Sequence, residues 1–213
     1  MSRATTINVF PTLLTVNQHG DGDWNELVYE RVKTMQRDRS IRNATTVHDI
    51  ATKHGYQPDL NLHKIWEEDE AWQAFLQQIV HPDIRRHLHE HHRLTGWPAA
   101  GVGYQFATAW TVLYPAGAYQ APHLHRNRFC VLAYYPRVPI RPEPEGAISF
   151  INPHPESQYP TSNGWPYDHR IQPRNGTSVV FPGWLQHFSH PHQGKDERML
   201  ITFDIDLLPP RRS

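Results

Sequence analysis

The 213-residue chain balances 21 Lys and Arg against 21 Asp and Glu, which leaves no basic excess for nucleic acid or an anionic membrane surface. No window holds the roughly 18 apolar residues of a bilayer span, and the opening Met1-Ser2-Arg3-Ala4-Thr5-Thr6 leads into no apolar export signal. The lone Cys130 excludes an internal disulfide, so the expectation is a cytoplasmic protein forming a single domain over residues 1–213.

The chain begins with Asn8-Val9-Phe10-Pro11-Thr12-Leu13-Leu14-Thr15-Val16, rich in strand formers. Pro11 cannot donate to a ladder, which makes this an edge strand. Asp23 stands as the cap of a first helix, whose Trp24, Leu27, Val28, Val32 and Met35 form one apolar stripe. Thr46 caps a short helix through Val47, Ile50 and Ala51 that stops at Gly55. Trp72, Phe75, Leu76, Ile79 and Val80 keep helical spacing in a third. Pro82 suits the first turn of a fourth, with Ile84 and Leu88 inward and Gly96 as terminator. That helix contains His87-Leu88-His89-Glu90-His91, an inverted zinc-protease pattern. No further carboxylate ligand or cleft accompanies it, so these histidines are expected on a solvated face.

After Gly96 strand candidates arrive at short intervals: Phe106 to Tyr114, Ala118 to His125, Phe129 to Tyr135, Ala147 to Ile151, Thr177 to Phe181 and Met199 to Ile205. Gly and Pro turns separate them, the texture of a sandwich or jelly roll. The fold class expected is mainly β with flanking helices. Residues 1–96 supply an N-terminal strand and helices that buttress one sheet, and residues 97–213 supply the β core. Two long proline-rich loops, Pro136 to Gly146 and Asn152 to Asp168, follow strands close to a histidine pair.

That pair is His123-Leu124-His125. On a strand, residues two apart share a face. His187 comes 64 positions after His123, inside Phe181-Pro182-Gly183-Trp184-Leu185-Gln186-His187, and a folded-over sheet can bring it beside them. Three converging neutral imidazoles suit iron, zinc, copper or nickel. Arg198 follows eleven residues later at the head of an apolar strand. Its planar fork fits the far carboxylate of a metal-chelating 2-oxo acid, and its alternative role is a surface ion pair with Asp196 or Glu197.

Taken together, Trp110, Gly117, His123-Leu124-His125, Tyr134-Tyr135, the Phe-Pro-X-Trp-Leu-X-His segment ending at His187, Gly194, Arg198 and Phe203 give the chain its likeness. It resembles the iron- and 2-oxoglutarate-dependent oxygenase superfamily, specifically a bacterial and phage group within it. The resemblance implies a double-stranded β-helix (jelly-roll, cupin-like) core and Fe(II) held by His123 and His187, with His125 as third ligand in the first choice and, in the alternative, standing behind the ion while only two histidines bind. It further implies 2-oxoglutarate anchored by Arg198, with Tyr134, Thr202 and Trp110 supporting the co-substrate. The activity implied is a dioxygenase that hydroxylates or otherwise oxidises a small-molecule substrate, releasing succinate and carbon dioxide. The chain departs from the superfamily in having His125 where most members carry Asp or Glu, Leu200 where a hydroxyl residue often follows the arginine, and Val112 in place of an asparagine. Loop residues Arg137, Arg141, Tyr159, Trp165 and Tyr167 are candidate walls of a substrate pocket. Arg128 and Cys130 border the histidines, Cys130 as a packing residue. Two other readings stand beside this one: a three-histidine metal cupin enzyme that does not use 2-oxoglutarate, and a non-catalytic jelly roll that binds a metal or ligand.

Overall fold

Two antiparallel sheets are stacked so that alternate residues of the larger one face two different interiors. The computed structural model describes residues 12–44, 50–98, 101–154 and 167–209. In chain order the elements are β1 (Thr15–Gln18), α1 (Asp23–Arg37), β2 (Thr52–Lys53), α2 (Leu62–Ile65), α3 (Glu70–Phe75), a π-helical turn (Leu76–Val80) and α4 (His81–Thr95). The strands that follow are β3 (Tyr104–Tyr114), β4 (Tyr119–Gln120), β5 (Cys130–Arg137), β6 (Ile148–Ile151), β7 (Asp168–Ile171), β8 (Thr177–Pro182), β9 (His187–Ser189) and β10 (Arg198–Leu207).

The major sheet has the order β1-β8-β5-β10-β3, and the minor sheet β7-β6-β9. A two-residue bridge, His123 with His187, joins the minor sheet to the segment after β4, and β4 in turn pairs with β2. Apart from β6 and β7, neighbours in both sheets are not consecutive in the chain, and the order is that of a double-stranded β-helix. Every residue of β5 but the last is buried, because one face meets the helices and the other the barrel. Strands covered on both faces read as continuous apolar runs, which explains Cys130-Val131-Leu132-Ala133-Tyr134-Tyr135.

On the helix side, Val28 and Val32 of α1, Trp72 and Phe75 of α3, and Ile84 and Leu88 of α4 pack against Leu132, Tyr134, Ile201, Phe203 and Ile205. Trp72 stacks on Phe203 with ring centroids 5.6 Å apart. Asp83 of α4 ties this layer to the sheet, accepting from Ser178 of β8 at 2.5 Å and pairing with His19 at 2.7 Å. On the barrel side, Val112, Val131, Ala133, Tyr135, Val179, Phe181 and Leu200 meet Ile148, Phe150 and Leu185.

Several expectations shift. The cap of α1 is Gly22, without a side-chain bond, and Asp23 sits in the first turn, where its charge suits the helix dipole. Thr46 and Val47 lie outside the described residues, as does the start of the first strand before Thr12; Ile50 and Ala51 lead into β2 and not into a helix. The third and fourth helices run on as one rod. The π turn absorbs the missing N–H of Pro82, which stands in the first turn of α4 as expected, and Gly96 ends the rod with φ 73°. The strand expected over Ala118 to His125 shrinks to Tyr119–Gln120. The elements α2 and β7 carry no apolar periodicity that would have announced them. In the inverted protease pattern, His87 is not solvated: it is 1% exposed and shares a 2.9 Å hydrogen bond between Nδ1 and Thr15 Oγ1. His91 packs edge-on against Trp97 and Phe129.

Candidate metal and co-substrate site

His123 and His187 are brought together by backbone, not by side-chain attraction. The His123 N–H donates to the His187 carbonyl at 2.9 Å, and the His187 N–H returns the bond at 3.0 Å. Their ring centroids are 4.3 Å apart. His125 is held two residues on by its own N–H to the Gly183 carbonyl, 2.8 Å. A Cβ on Gly183 would strike the Arg128 and His125 carbonyls, so only glycine lets the turn after β8 approach this closely. One ring nitrogen from each histidine can be chosen so that all three lie within 4.8 Å of one another, the one such cluster among the described residues.

The donor set fits a metal. Nδ1 of His123 lies 2.8 Å from the Ala121 carbonyl, and Nδ1 of His187 lies 2.9 Å from the Leu185 carbonyl. A carbonyl only accepts, so each Nδ1 carries the proton and each Nε2 keeps a free lone pair. Nδ1 of His125 faces Asp204 Oδ1 at 2.7 Å and is set the same way. Burial pushes the His123 pKa down to about 4, and burial together with the neighbouring His123 holds that of His187 well below the usual histidine value. Both rings are therefore neutral at pH 7, the form a metal requires. A small cavity at the cluster is lined by Gln120, Ala133, Ile148, Phe181, Leu200 and Thr202 besides the histidines. Trp110 lies nearly parallel to His125, centroids 5.7 Å apart.

Arg198 heads the inward row of β10 that continues through Leu200, Thr202 and Asp204. It is 1% exposed, yet no described carboxylate pairs with it. Nη1 donates to the Gly146 carbonyl, the guanidinium stacks 4.3 Å from the Tyr114 ring centroid and 5.9 Å from that of Tyr135, and Nε has no partner among the described residues. The Tyr114 hydroxyl is likewise buried and unpartnered. A buried cation without a counter-charge is costly, and an anionic ligand relieves it. The surface ion pair with Asp196 or Glu197 is not formed: Asp196 meets Arg141 at 3.3 Å, and Glu197 meets Lys33 at 2.8 Å.

Of the residues singled out from sequence, His123, His125, His187, Trp110 and Thr202 converge, and Arg198 shares their interior. Tyr134 does not join them. It points to the helix side, where its hydroxyl donates to Asn25 Oδ1 at 2.6 Å, and Tyr135 takes the inward position. Cys130 is also on the helix side, fully buried, its thiol pKa pushed up by burial. Arg128 pairs with Asp206 at 2.9 Å. Arg137 stacks on Tyr29, and Tyr167 is exposed. Tyr159 and Trp165 lie outside the described residues. Sequence reasoning missed Tyr114 and Asp204. An aspartate inside Met199-Leu200-Ile201-Thr202-Phe203-Asp204-Ile205 was the available signal, because an apolar strand buries a carboxylate only with a partner.

Residues 108–204, from Thr108 in β3 to Asp204 in β10, match the family described as "Putative 2OG-Fe(II) oxygenase". Over that span, a little under half of the chain, the sequence is similar to the 2-oxoglutarate- and Fe(II)-dependent oxygenases, a class of oxidoreductases. No curated protein matches the sequence. Among solved structures, a prolyl-4-hydroxylase from Pseudomonas putida is similar at 15% identity and TM-score 0.57, over 90% of this chain and 91% of that one. A prolyl hydroxylase from Trichoplax adhaerens, in complex with a hypoxia inducible factor peptide fragment, is similar at 16% identity and TM-score 0.60, over 90% and 82%. HygX from Streptomyces hygroscopicus, with nickel and 2-oxoglutarate bound, is similar at 12% identity and TM-score 0.55, over 91% and 82%. At such identities the likeness is one of fold. Among the described residues no helix is long and apolar enough to cross a membrane.

Proposed function

We propose that this chain hydroxylates a small-molecule substrate as a non-haem Fe(II)/2-oxoglutarate-dependent oxygenase, releasing succinate and carbon dioxide. One observation carries the reading. A single barrel interior holds three imidazoles with free Nε2 lone pairs and, at the head of the same inward row, a buried Arg198 without a described carboxylate partner. His123, His125 and His187 would hold the iron. Arg198 would take the distal carboxylate of 2-oxoglutarate through its unpaired Nε–H, and the free Tyr114 hydroxyl would be a second donor. Bound iron and 2-oxoglutarate supply the oxidising chemistry, coupling the reduction of oxygen to decarboxylation of the co-substrate and oxidation of a substrate C–H bond.

The protein's own groups set the conditions for that chemistry. Carbonyl and carboxylate partners orient the rings. The lining of Ala133, Ile148, Phe181 and Leu200 limits water at the cluster. Three neutral ligands put no negative charge directly on the ion, which favours an anionic chelating co-substrate. The small cavity favours presentation of one small group at a time.

Anaerobic addition of 2-oxoglutarate to the Fe(II) protein is expected to raise a visible charge-transfer band. Arg198→Ala is expected to retain iron and weaken the 2-oxoglutarate titration by about 1.5 to 3 kcal/mol, the range for hydrogen bonds to charged groups. Wild-type protein that gives no band, and forms no succinate with a panel of amino acids and other small candidates, would overturn the reading in favour of the cupin alternative.

A further inference from the structure

His125 differs from the other two histidines in what holds its far nitrogen. His123 and His187 each donate to a backbone carbonyl two residues earlier, at 2.8 and 2.9 Å. His125 meets a carboxylate instead, Asp204 Oδ1 at 2.7 Å, and it stands where a two-histidine, one-carboxylate iron triad would have its carboxylate. The second oxygen of Asp204 lies 3.3 Å from Thr108 Oγ1 and 3.4 Å from Arg128 Nε. Arg128 is itself fixed by Asp206 at 2.9 Å. The Asp204 side chain is only 12% exposed, between the buried Phe203 and Ile205.

The backbone is shaped at this position. The register of β10 against β3 runs without a break from Arg198 to Asp204 and slips between Asp204 and Ile205, a β-bulge. The extra residue is Ala107 of β3, so β10 itself keeps its alternation, and that alternation sets Arg198, Leu200, Thr202 and Asp204 on the barrel face.

We propose that Asp204 is a positioning residue of the metal centre: it fixes His125 as an Nε2 donor and supplies, one residue removed from the ion, the negative charge that a carboxylate ligand would have brought. The inference rests on the three-histidine reading of the site. A carboxylate that accepts from Nδ1–H raises the basicity of the ring and locks its tautomer. Three neutral imidazoles with one carboxylate behind them carry the same net charge as two imidazoles and one carboxylate bound directly. Arg128 and Thr108 hold Asp204 in place, which gives Arg128 a role at the rim of the site.

The test uses the full chain and Co(II), followed by calorimetry and by proton NMR of the exchangeable ring N–H signals shifted by the bound ion. Asp204→Asn keeps an acceptor but loses the charge, and is expected to bind Co(II) about 10-fold more weakly; Asp204→Ala loses both, about 100-fold. In Asp204→Ala one of the three shifted N–H signals, that of His125, is expected to broaden by exchange while the other two persist. His125→Asp places a carboxylate on the ion directly, so adding Asp204→Asn to it should cost no further affinity. Unchanged Co(II) affinity and three unchanged N–H signals in a folded Asp204→Ala or Asp204→Asn protein would overturn the proposal and leave the metal site standing. Asp204→Asn, nearly isosteric, decides the matter if Asp204→Ala does not fold. Wild-type protein that binds no Co(II) at all would overturn both.

Discussion

The two faces of the major sheet are built from the same strands and behave differently. On the helix side Leu132, Tyr134, Ile201 and Phe203 meet Trp72, Phe75 and Ile84, and the buried carboxylate there is paired, Asp83 with His19 and Ser178. The unpartnered buried donors on that side, such as the Trp72 indole N–H, are uncharged. On the barrel side, one residue away along each strand, a guanidinium is buried with no described counter-charge and three imidazole lone pairs face one another. The lesson is about polar groups more than about pockets. A face whose charges are satisfied is there to hold the fold, and a face that leaves them open is waiting for a ligand.

The largest contrast is expected between Phe203→Ala and His187→Ala. Phe203 is fully buried against Trp72, Phe75 and Phe106, and its truncation should cost about 3 to 5 kcal/mol in urea unfolding while the folded fraction retains its iron. His187→Ala should abolish stoichiometric iron binding and cost the metal-free fold only about 1 kcal/mol. Iron lost from folded Phe203→Ala, or full stoichiometry in His187→Ala, would erase the distinction between the faces.

Which face a residue occupies was the hardest property to read from the sequence. The histidines, Arg198 and the succession of short strands were visible because each is a local signal: a spacing, a charge in an apolar run, a Gly or Pro turn. The choice between Tyr134 and Tyr135 was not, because both faces of β5 are buried and its apolar run has no alternation to set the phase. The same holds for Asp204, whose inward direction depends on alternation along β10, a strand buried on both faces. Elements without periodicity, α2 and β7, exist only through tertiary contacts: Asn61 caps α2 and also accepts from the Ala109 N–H of β3 at 3.0 Å. The third and fourth helices merged because a π turn lets the rod pass Pro82, a local remedy that propensity does not foresee.

The pH dependence of stability gives a second, smaller contrast. Burial holds the His87 pKa down to about 4 from a usual 6.5. The unfolded chain therefore binds a proton between these values that the folded chain resists, so stability rises with pH through that window and falls as pH drops toward 4. The shift corresponds to about 3 kcal/mol at most for this residue. His123 and His187 shift in the same direction on the barrel side, again through burial. In metal-free protein all three should steepen the loss of urea stability from pH 6.5 to 4.5. His87→Gln should remove part of that slope without altering iron affinity at pH 7.5. An unchanged slope in this variant would mean that His87 gains no proton on unfolding.

The finest test sets two tyrosine hydroxyls on opposite faces against each other. Tyr134 on the helix side gives its hydroxyl proton to Asn25 Oδ1 at 2.6 Å, inside the core. Tyr134→Phe leaves that acceptor buried and unmatched, which should cost about 1 to 2 kcal/mol of stability and leave the 2-oxoglutarate titration unchanged. Tyr114 on the barrel side has a buried hydroxyl with no hydrogen-bond partner among the described residues, and its ring carries the Arg198 guanidinium at 4.3 Å. Phenylalanine keeps that ring, so the stacking survives and only the hydroxyl is removed. Tyr114→Phe should therefore leave stability unchanged or raise it slightly, because an unsatisfied buried group is lost. If the hydroxyl donates to the distal carboxylate, the same change should weaken 2-oxoglutarate by about 3- to 10-fold, the equivalent of one neutral donor. The two variants read by the same pair of measurements should thus fall on different axes, one in unfolding and one in titration. Tyr114→Phe with lower stability and an unaltered titration would show that its hydroxyl belongs to the packing of the barrel and would leave Arg198 to hold the co-substrate alone.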